Sequence, residues 1–275
     1  MSKDKSLMFS TAYHNILVVM ERGGNRKSMC AAQIIVIARA LGAIIKVVEV
    51  EQREELVLLF PEITSSTQLP GLDTIQLNDQ SENMALTPLF RALIAPPEQL
   101  TVADIGANLD GRVLEGMVRM NMAKRMSAAG RETCFVIPFY PNMESVKGAY
   151  RTGRRAELAV PGAKILFCRC DTGEYLAAGE IERSEEWTSF IGPRIDKHGM
   201  MVMPRLQPSV ISAYVASKRD PLAFTEMSDA ELAPYAGGDE FIADALRTAM
   251  MIFIDTMKQQ VVEHFRLGRQ QQPAA

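Results

Sequence analysis

The sequence contains few of the residues that metal centres and hydrolase active sites most often use. Its three histidines, His14, His198 and His264, are scattered without metal-ligand spacing, and it has no Gly-x-Ser-x-Gly motif. The four cysteines lack the spacing of a zinc site, because the pair at Cys168 and Cys170 has no second pair to complete it. We therefore expect reduced, structural thiols of the cytoplasmic kind, and neither zinc nor serine-hydrolase chemistry.

Long apolar runs and an excess of charge of one sign are also missing. No apolar run approaches the roughly 20 residues that span a bilayer. Lys3 and Lys5 are not followed by the apolar segment of a signal peptide. The net charge of −3 means that any binding to nucleic acid needs a local basic patch. We expect a cytoplasmic protein without membrane contact.

The overall composition is that of an ordinary globular protein. Of the 275 residues, 47% are hydrophobic and 23% are charged, which is enough to build a substantial core. The chain shows neither an internal repeat nor a convincing linker. We expect one domain over residues 13–267, an N-terminal extension over 1–12 and a flexible tail over 268–275.

Short apolar runs alternate with helical patterns along most of the chain. Strands are predicted over 15–20, 44–51, 74–77, 100–105, 133–140, 164–169 and 199–203. Helices are predicted over 27–41, 54–60, 84–94, 110–126, 143–157, 175–187, 210–217 and 239–265, with turns over 61–71. This alternation predicts an α/β fold, a three-layer sandwich around a mostly parallel twisted sheet.

The last predicted helix carries an amphipathic pattern that indicates a single buried stripe. The residues expected in that stripe are Phe241, Ala245, Ala249, Ile252, Phe253, Met257 and Val261. Before it, Ser228 and Glu231 have the spacing of a capping box, which predicts a helix start.

The segment between the first strand and the first helix has the features of a phosphate-binding loop. Gly23 and Gly24 allow a tight turn, and Lys27 and Ser28 open the helix. Unpaired N–H groups and the dipole at a helix start attract an anion, a lysine there reaches terminal phosphates, and the next hydroxyl binds Mg²⁺. Alone the pattern is weak, since a glycine-rich turn looks the same, but its position after the first strand favours nucleotide binding.

This loop resembles the deviant Walker A motif of ParA/MinD-type ATPases, Lys-Gly-Gly-x-Gly-Lys-[Ser/Thr]-[Ser/Thr]. The resemblance implies a P-loop NTPase fold. It places the signature lysine, which reaches the partner's nucleotide across a dimer, on Arg22, the P-loop lysine on Lys27, and the Mg²⁺-binding hydroxyl on Ser28. The other implied nucleotide contacts are Gly23, Gly24, Asn25, Arg26 and Met29.

The chain also departs from the motif. Arg26 replaces the last loop glycine and Met29 replaces the final hydroxyl, so either the loop opens or Arg26 adds a charged contact. The base-contacting Asn of the family is missing, and Cys168-Arg169-Cys170-Asp171 stands in its place. The pattern supports nucleotide binding more firmly than ATP hydrolysis, and it leaves both hydrolysis and the choice between ATP and GTP open.

Acidic residues follow at the ends of two strands. Glu49 and Glu51 resemble the acidic pair that handles water and Mg²⁺ in the family, which implies a catalytic role for one of them; the alternative is a pair of strand-end charges in solvent. Val102-Ala103-Asp104 resembles the Walker B strand, and Asp104 is implied to hold Mg²⁺ through water. An Asp at the carboxyl end of a parallel strand faces the crevice where α/β proteins bind ligands.

The order and spacing of these segments extend the resemblance over about residues 13–215, and the chain looks most similar to the plasmid stability and conjugation branch, the StbB-like proteins. The resemblance implies an ATP-bridged homodimer that hydrolysis resets, with Mg²⁺ as cofactor and a plasmid-encoded protein as partner. The alternative is a pseudo-ATPase adaptor that binds a protein or DNA without turnover, a reading suggested by Arg26 and the missing Asn.

Basic residues are concentrated on the predicted helix over 143–157. Spacings of four and three place Lys147, Arg151 and Arg154 on one face, and Arg155 lies next to them. Partition ATPases of the family bind non-specific DNA, and such a stripe would contact phosphates in a salt-dependent way. The alternative, which we favour, is a solvated helix face.

Overall fold

The computed structural model describes residues 7–22, 26–51, 54–71, 73–74, 80–171 and 178–271. In these ranges the strands are β1 (Leu7–Ser10), β2 (Asn15–Val18), β3 (Ile44–Val50), β4 (Thr64–Thr67), β5 (Gln99–Ile105), β6 (Thr133–Phe139), β7 (Lys164–Cys170), β8 (Met200–Met203) and β9 (Gly268–Gln271). Strands β2 to β8 form one parallel sheet in the order β4-β3-β5-β2-β6-β7-β8. Strands β3, β4 and β5 therefore lie on one side of β2, with β5 next to it, and β6, β7 and β8 follow in order on the other side.

The α-helices connect these strands, and the longer ones cover both faces of the sheet. They are α1 (Lys27–Ala40), α2 (Glu55–Leu59), α3 (Ser81–Leu93), α4 (Asp110–Arg119), α5 (Met122–Ala128), α6 (Met143–Ala159), α7 (Ala178–Glu182), α8 (Gly192–His198), α9 (Pro208–Ser217), α10 (Pro221–Thr225), α11 (Asp229–Leu232) and α12 (Glu240–Phe265). A π-helix spans Trp187–Ile191 and a 3-10 turn spans Ala233–Tyr235. No helix in the described ranges is long and apolar enough to cross a membrane.

Alternate residues of the central strands enter two separate cores. Ile16 and Val18 of β2 pack with α1, α9 and α12, whereas Leu17 packs with α3, α4 and α6 on the opposite face. Because both faces are covered, the strands read as continuous apolar runs rather than as alternating ones. The expected three-layer α/β fold with a parallel sheet is confirmed.

Local structure differs from the prediction at three places in the first half of the chain. The polar segment Thr64–Thr67, expected as a turn, is the edge strand β4, which pairs with β3. The helix expected over 110–126 is split at Asn121, whose φ of 53° is left-handed and cannot continue a helix. Thr74 is helical rather than the start of a strand, and residues 75–77 lie outside the described ranges.

The stripe expected on α12 is wrong at three of its members, Phe241, Ala245 and Ile252, which are exposed. Phe241 is 90% exposed and Ile252 is 63% exposed, while Phe253, Met257 and Val261 are buried as expected. The buried face runs through Ala243, Leu246, Met250, Phe253, Ile254, Met257, Val261 and Phe265. Apolar residues occur on two sides of this helix, so periodicity alone did not select the side that packs.

The two ends of the described chain pair with each other. Strand β1, within the expected extension, runs antiparallel to β9, within the expected tail. Nearby, the Ala12 N–H donates to the Phe265 carbonyl at 3.0 Å. Residues 268–271 therefore differ from the flexible tail that we expected, and 272–275 lie outside the described ranges. Of the helix expected over 175–187, the structure describes only the short α7 and the start of the π-helix.

Candidate functional site

The residues singled out in the sequence meet at the carboxyl edge of the sheet, around its central strand. The register places Asp104 of β5 beside Val18 of β2 on one side and beside Glu49 of β3 on the other. Helix α1 starts at Lys27, eight residues after β2. The strand order changes direction at this point, and such switch points are where α/β proteins form their ligand crevices.

Lys27 lies inside this edge rather than in solvent. It is 7% exposed, and its Nζ donates to the backbone carbonyl of Arg22 at 3.0 Å. Burial lowers the pKa of Lys27, and the charges of Asp104 and Glu51 act in the opposite direction. A buried ammonium that faces carboxylates across a short gap is well placed to neutralise an anionic ligand.

Asp104 has the environment of a cation ligand. Its pKa is raised to about 7 by burial, against the hydrogen bond from Ser28 and the charge of Lys27. Asp104 Oδ1 is buried and has no hydrogen-bond partner among the described residues. An unsatisfied carboxylate oxygen beside a serine hydroxyl fits a hard cation such as Mg²⁺, which commonly takes one carboxylate and completes its shell with water and phosphate.

A larger metal cage is not present in the part of the chain that the structure describes. No group of three or more His, Cys, Asp or Glu side chains there could hold a metal ion. Ser28 and Asp104 therefore fit a cation shared with a phosphate ligand and do not form an independent metal centre.

The two glutamates at the carboxyl end of β3, Glu49 within the strand and Glu51 directly after it, have different surroundings. Glu49 is fully buried, and its carboxylate accepts the N–H groups of Glu55, Leu56 and Val57 at 2.8, 2.9 and 3.2 Å. It thereby caps the first turn of α2, so the catalytic role that we considered for it is not supported by its contacts. Glu51 lies close to Gly106, where an added Cβ would come within 2.5 Å of its Oε2.

Arg26 adopts a left-handed backbone conformation of the kind that favours glycine. Its φ of 52° and ψ of 33° are left-handed, at the N-cap of α1. Its side chain hydrogen-bonds to Tyr140, which follows β6, and its Nη1 is buried without a partner among the described residues. Arg26 thus lies over the carboxyl ends of β6 and β7, and the neighbouring Gly23, Gly24 and Asn25 lie outside the described ranges.

Arg22 and Met29 lie at the rim of this site. Arg22 forms an ion pair with Glu144 at the start of α6, and its side chain is 43% exposed. Met29 packs against the core that contains α1 and α9. An exposed ion pair contributes little stability, so Arg22 can exchange this partner for another at small cost.

Asp110 belongs to the same edge, although the sequence analysis did not select it. It is 1% exposed, it accepts the Thr152 hydroxyl at 3.0 Å, and it lies 3.7 Å from Arg155. The negative charge of Asp110 also raises the pKa of Lys27, against the effect of burial. The available signal was an acidic residue opening the helix that follows the Walker B-like strand.

The basic residues of α6 are largely paired with acids of their own chain. Arg151 binds both carboxylate oxygens of Glu21 at 2.8 and 3.0 Å, and Arg155 lies 3.9 Å from the same group. Arg154 lies 3.4 Å from Glu157, and Lys147 is exposed. These pairs neutralise much of the stripe, which agrees with a solvated face and leaves DNA binding as a prediction.

Comparison with known proteins gives matches only among solved structures. No family model and no curated protein matches the sequence. The septum site-determining protein MinD from Pyrococcus horikoshii, complexed with Mg-ADP, is 13% identical with a TM-score of 0.45, over 89% of this chain and 98% of that one. The Aquifex aeolicus MinC:MinD complex is 11% identical (TM-score 0.41; 86% and 96%), and the Cyanothece McdA(D38A)-ATP complex is 12% identical (0.37; 88% and 98%).

These neighbours are ATPases of the MinD/ParA type. At such identities and TM-scores the likeness concerns the arrangement of the α/β layers alone. We therefore infer function from the residues that this chain places at the carboxyl edge of its own sheet.

Proposed function

We propose that this chain is a ParA/MinD-type nucleotide-binding protein whose Mg²⁺–ATP site lies at the carboxyl edge of β2 and β5. The observation that carries the proposal is the convergence of Lys27, Ser28 and Asp104. The first two open α1 and the third lies one residue before the end of β5, so residues about 76 positions apart form one cluster, which contains an unsatisfied carboxylate oxygen and in which Lys27 and Asp104 are buried. A cation and phosphate oxygens satisfy all three side chains at once.

The proposed roles follow from these positions. Lys27 Nζ would exchange the Arg22 carbonyl for the terminal phosphates, and Ser28 and Asp104 would hold Mg²⁺, which would supply charge neutralisation. The start of α1 would donate N–H groups to the phosphates, and the resemblance of the loop implies the same role for Gly23, Gly24 and Asn25. Glu51, rather than the capped Glu49, positions the attacking water.

Arg22 supports a dimer in this proposal. In the single chain it pairs with the exposed Glu144, and it can release that partner to reach a nucleotide across a two-fold interface. We propose an ATP-bridged homodimer acting in plasmid partition, plasmid stability or conjugative transfer with a plasmid-encoded partner, in line with the resemblance of the chain to StbB-like proteins. DNA binding through α6 would require Glu21 and Asp110 to release Arg151 and Arg155.

The test compares nucleotide binding by the wild type with that by Lys27→Ala. Thermal unfolding with Mg²⁺-ATP, with Mg²⁺-GTP and without nucleotide should show stabilisation in the wild type and its loss in Lys27→Ala, because a ligand that binds the native state raises its stability by mass action. Lys147→Ala, an exposed lysine on α6, is the control that should keep the full shift. Equal shifts in Lys27→Ala and the wild type would rule out the site assignment.

The second candidate is a pseudo-ATPase adaptor, which Arg26 and Glu49 favour. Arg26 occupies the glycine position of the loop, and the carboxylate of Glu49 is already taken by three amides. An adaptor of this kind would bind nucleotide or a partner and show no turnover. Measured ATP hydrolysis above the Lys27→Ala background separates the two candidates.

A further inference from the structure

A second polar pocket lies at the opposite edge of the sheet, where β7 and β8 begin. It has a volume of about 410 Å³, and its charged and titratable walls include Lys164, Lys197, His198, Glu263, His264 and Arg266. Seven-residue β7 separates this pocket from the carboxyl edge, which corresponds to roughly 20 Å at about 3.3 Å per residue. The pocket is therefore distinct from the nucleotide site proposed above.

Lys164 is the unusual residue of this pocket. It is 9% exposed, its Nζ donates to the His264 carbonyl at 2.8 Å, and it lies 5.3 Å from the centre of the Tyr13 ring. Burial is the main cause that lowers the pKa of Lys164; the charge of Arg266 acts in the same direction and that of Glu263 in the opposite one. Among the described residues, the close partners of this ammonium are a carbonyl and an aromatic ring, so it retains unused donors and has no carboxylate in direct contact.

The other charged residues of the pocket add to its positive charge. Among the described residues that line the pocket, three cations, Lys164, Lys197 and Arg266, outnumber the one carboxylate, Glu263, in a chain whose net charge is −3. Lys197 and Arg266 stand near the C-terminal ends of α8 and α12, where the helix dipole favours cations. Lys164 also meets the C-terminal end of α12 through the His264 carbonyl, but unlike the other two cations it is buried, at the start of β7.

We propose that this pocket binds a small, multiply charged oxyanion of the phosphate class. Such an anion would supply the negative charge that Lys164 lacks and would accept further hydrogen bonds from Lys197 and from the guanidinium fork of Arg266. The site is open enough for a phosphate group carried on a small metabolite. It is independent of the loop at Lys27.

Inorganic phosphate is the first probe, measured by calorimetry at constant ionic strength in the Lys27→Ala protein. That variant removes the phosphate contact of the nucleotide site, so a failure of this proposal and a failure of the proposed function can be told apart. We expect one saturable phosphate site in Lys27→Ala, weakened about tenfold by the exposed rim substitutions Lys197→Gln or Arg266→Gln. Lys258→Gln, an exposed lysine elsewhere on α12, is the matched control and should bind as Lys27→Ala does.

Sulfate and citrate in place of phosphate distinguish a tetrahedral oxyanion from a polycarboxylate. The amide signal of Gly199, which lines the pocket, gives a second readout in the otherwise unmodified chain and should shift on phosphate addition. Absence of saturable binding in Lys27→Ala together with an unmoved Gly199 signal would overturn the proposal. Equal affinity in the rim variants and in Lys258→Gln would overturn it as well.

Discussion

Arg26 shows how a single residue can keep a local conformation while changing its chemistry. Left-handed backbone costs a non-glycine residue about 1–2 kcal/mol, and Arg26 adopts it at the start of α1. Its side chain is directed to Tyr140 and leaves one buried nitrogen without a described partner. Backbone strain of this kind is maintained only by the rest of the fold, so its presence at the carboxyl edge of the sheet points to a functional role.

We expect Arg26→Gly to raise the free energy of unfolding by roughly 0.5–1 kcal/mol, because relief of the left-handed strain exceeds the entropy that glycine adds to the unfolded chain. It should also strengthen ATP binding by freeing the loop backbone. Lys218→Gly is the control, since Lys218 has a φ of 52° at the end of α9. Urea unfolding should show a similar gain in both variants, and calorimetry should show tighter ATP binding in Arg26→Gly alone. Unchanged ATP affinity in Arg26→Gly would mean that this residue does not restrict the loop.

Glu49 and Glu51 are similar side chains two positions apart, and our proposal gives them separate roles. Glu49→Ala should lower the free energy of unfolding by roughly 2 kcal/mol, because three amides of α2 lose a buried, charged acceptor. Glu51→Ala should change stability far less and should reduce ATP turnover. Chemical unfolding and a steady-state ATPase assay measure the two effects, and a stable Glu49→Ala protein without turnover would reverse the assignment.

At the scale of elements, the buried strands are the most predictable part of the fold. β5 and β6 are apolar on both faces, and that pattern is visible in the sequence. β4 could not be predicted from the sequence, because the segment Thr64–Thr67 has no apolar pattern and forms a strand only by pairing with β3 at the sheet edge. The split between α4 and α5 depends on one backbone angle at Asn121, which composition does not encode.

The candidate site likewise contains residues that the sequence predicts and contacts that it does not. Lys27, Ser28 and Asp104 were predictable, since a loop after the first strand and an Asp at the end of a neighbouring strand must meet at one sheet edge. The cap formed by Glu49 depends on amides that a later segment brings into reach, so its contacts appear only in the folded chain.

Helix α12 provides an element-scale prediction on two adjacent residues. Phe253 is 2% exposed and Ile252 is 63% exposed, so only the first side chain fills core space. Phe253→Ala should cost about 3–5 kcal/mol, whereas Ile252→Ala should stay within about 0.5 kcal/mol of the wild type. Urea unfolding monitored by circular dichroism measures both. Comparable losses in the two variants would show that the exposed stripe is also packed in solution.

At the scale of the whole molecule, the parallel sheet separates two kinds of charge. Its carboxyl edge gathers carboxylates around Lys27, while its amino edge gathers cations around Lys164. Parallel strands keep these two edges apart, because all their carboxyl ends lie on one side, and the side chains at each edge set its charge. We propose that the carboxyl edge, around Lys27, binds Mg²⁺ and nucleotide together.

The most direct test of that claim measures the affinity for ATP with Mg²⁺ and with EDTA, in the wild type and in Asp104→Asn. Asparagine keeps the shape of the side chain and removes the charge beside Ser28. The wild type should bind ATP more tightly with Mg²⁺, and Asp104→Asn should lose about tenfold or more of that affinity with Mg²⁺ and little with EDTA. If the wild type binds ATP equally with and without Mg²⁺, or if Asp104→Asn retains the full dependence on Mg²⁺, the account of this site is wrong.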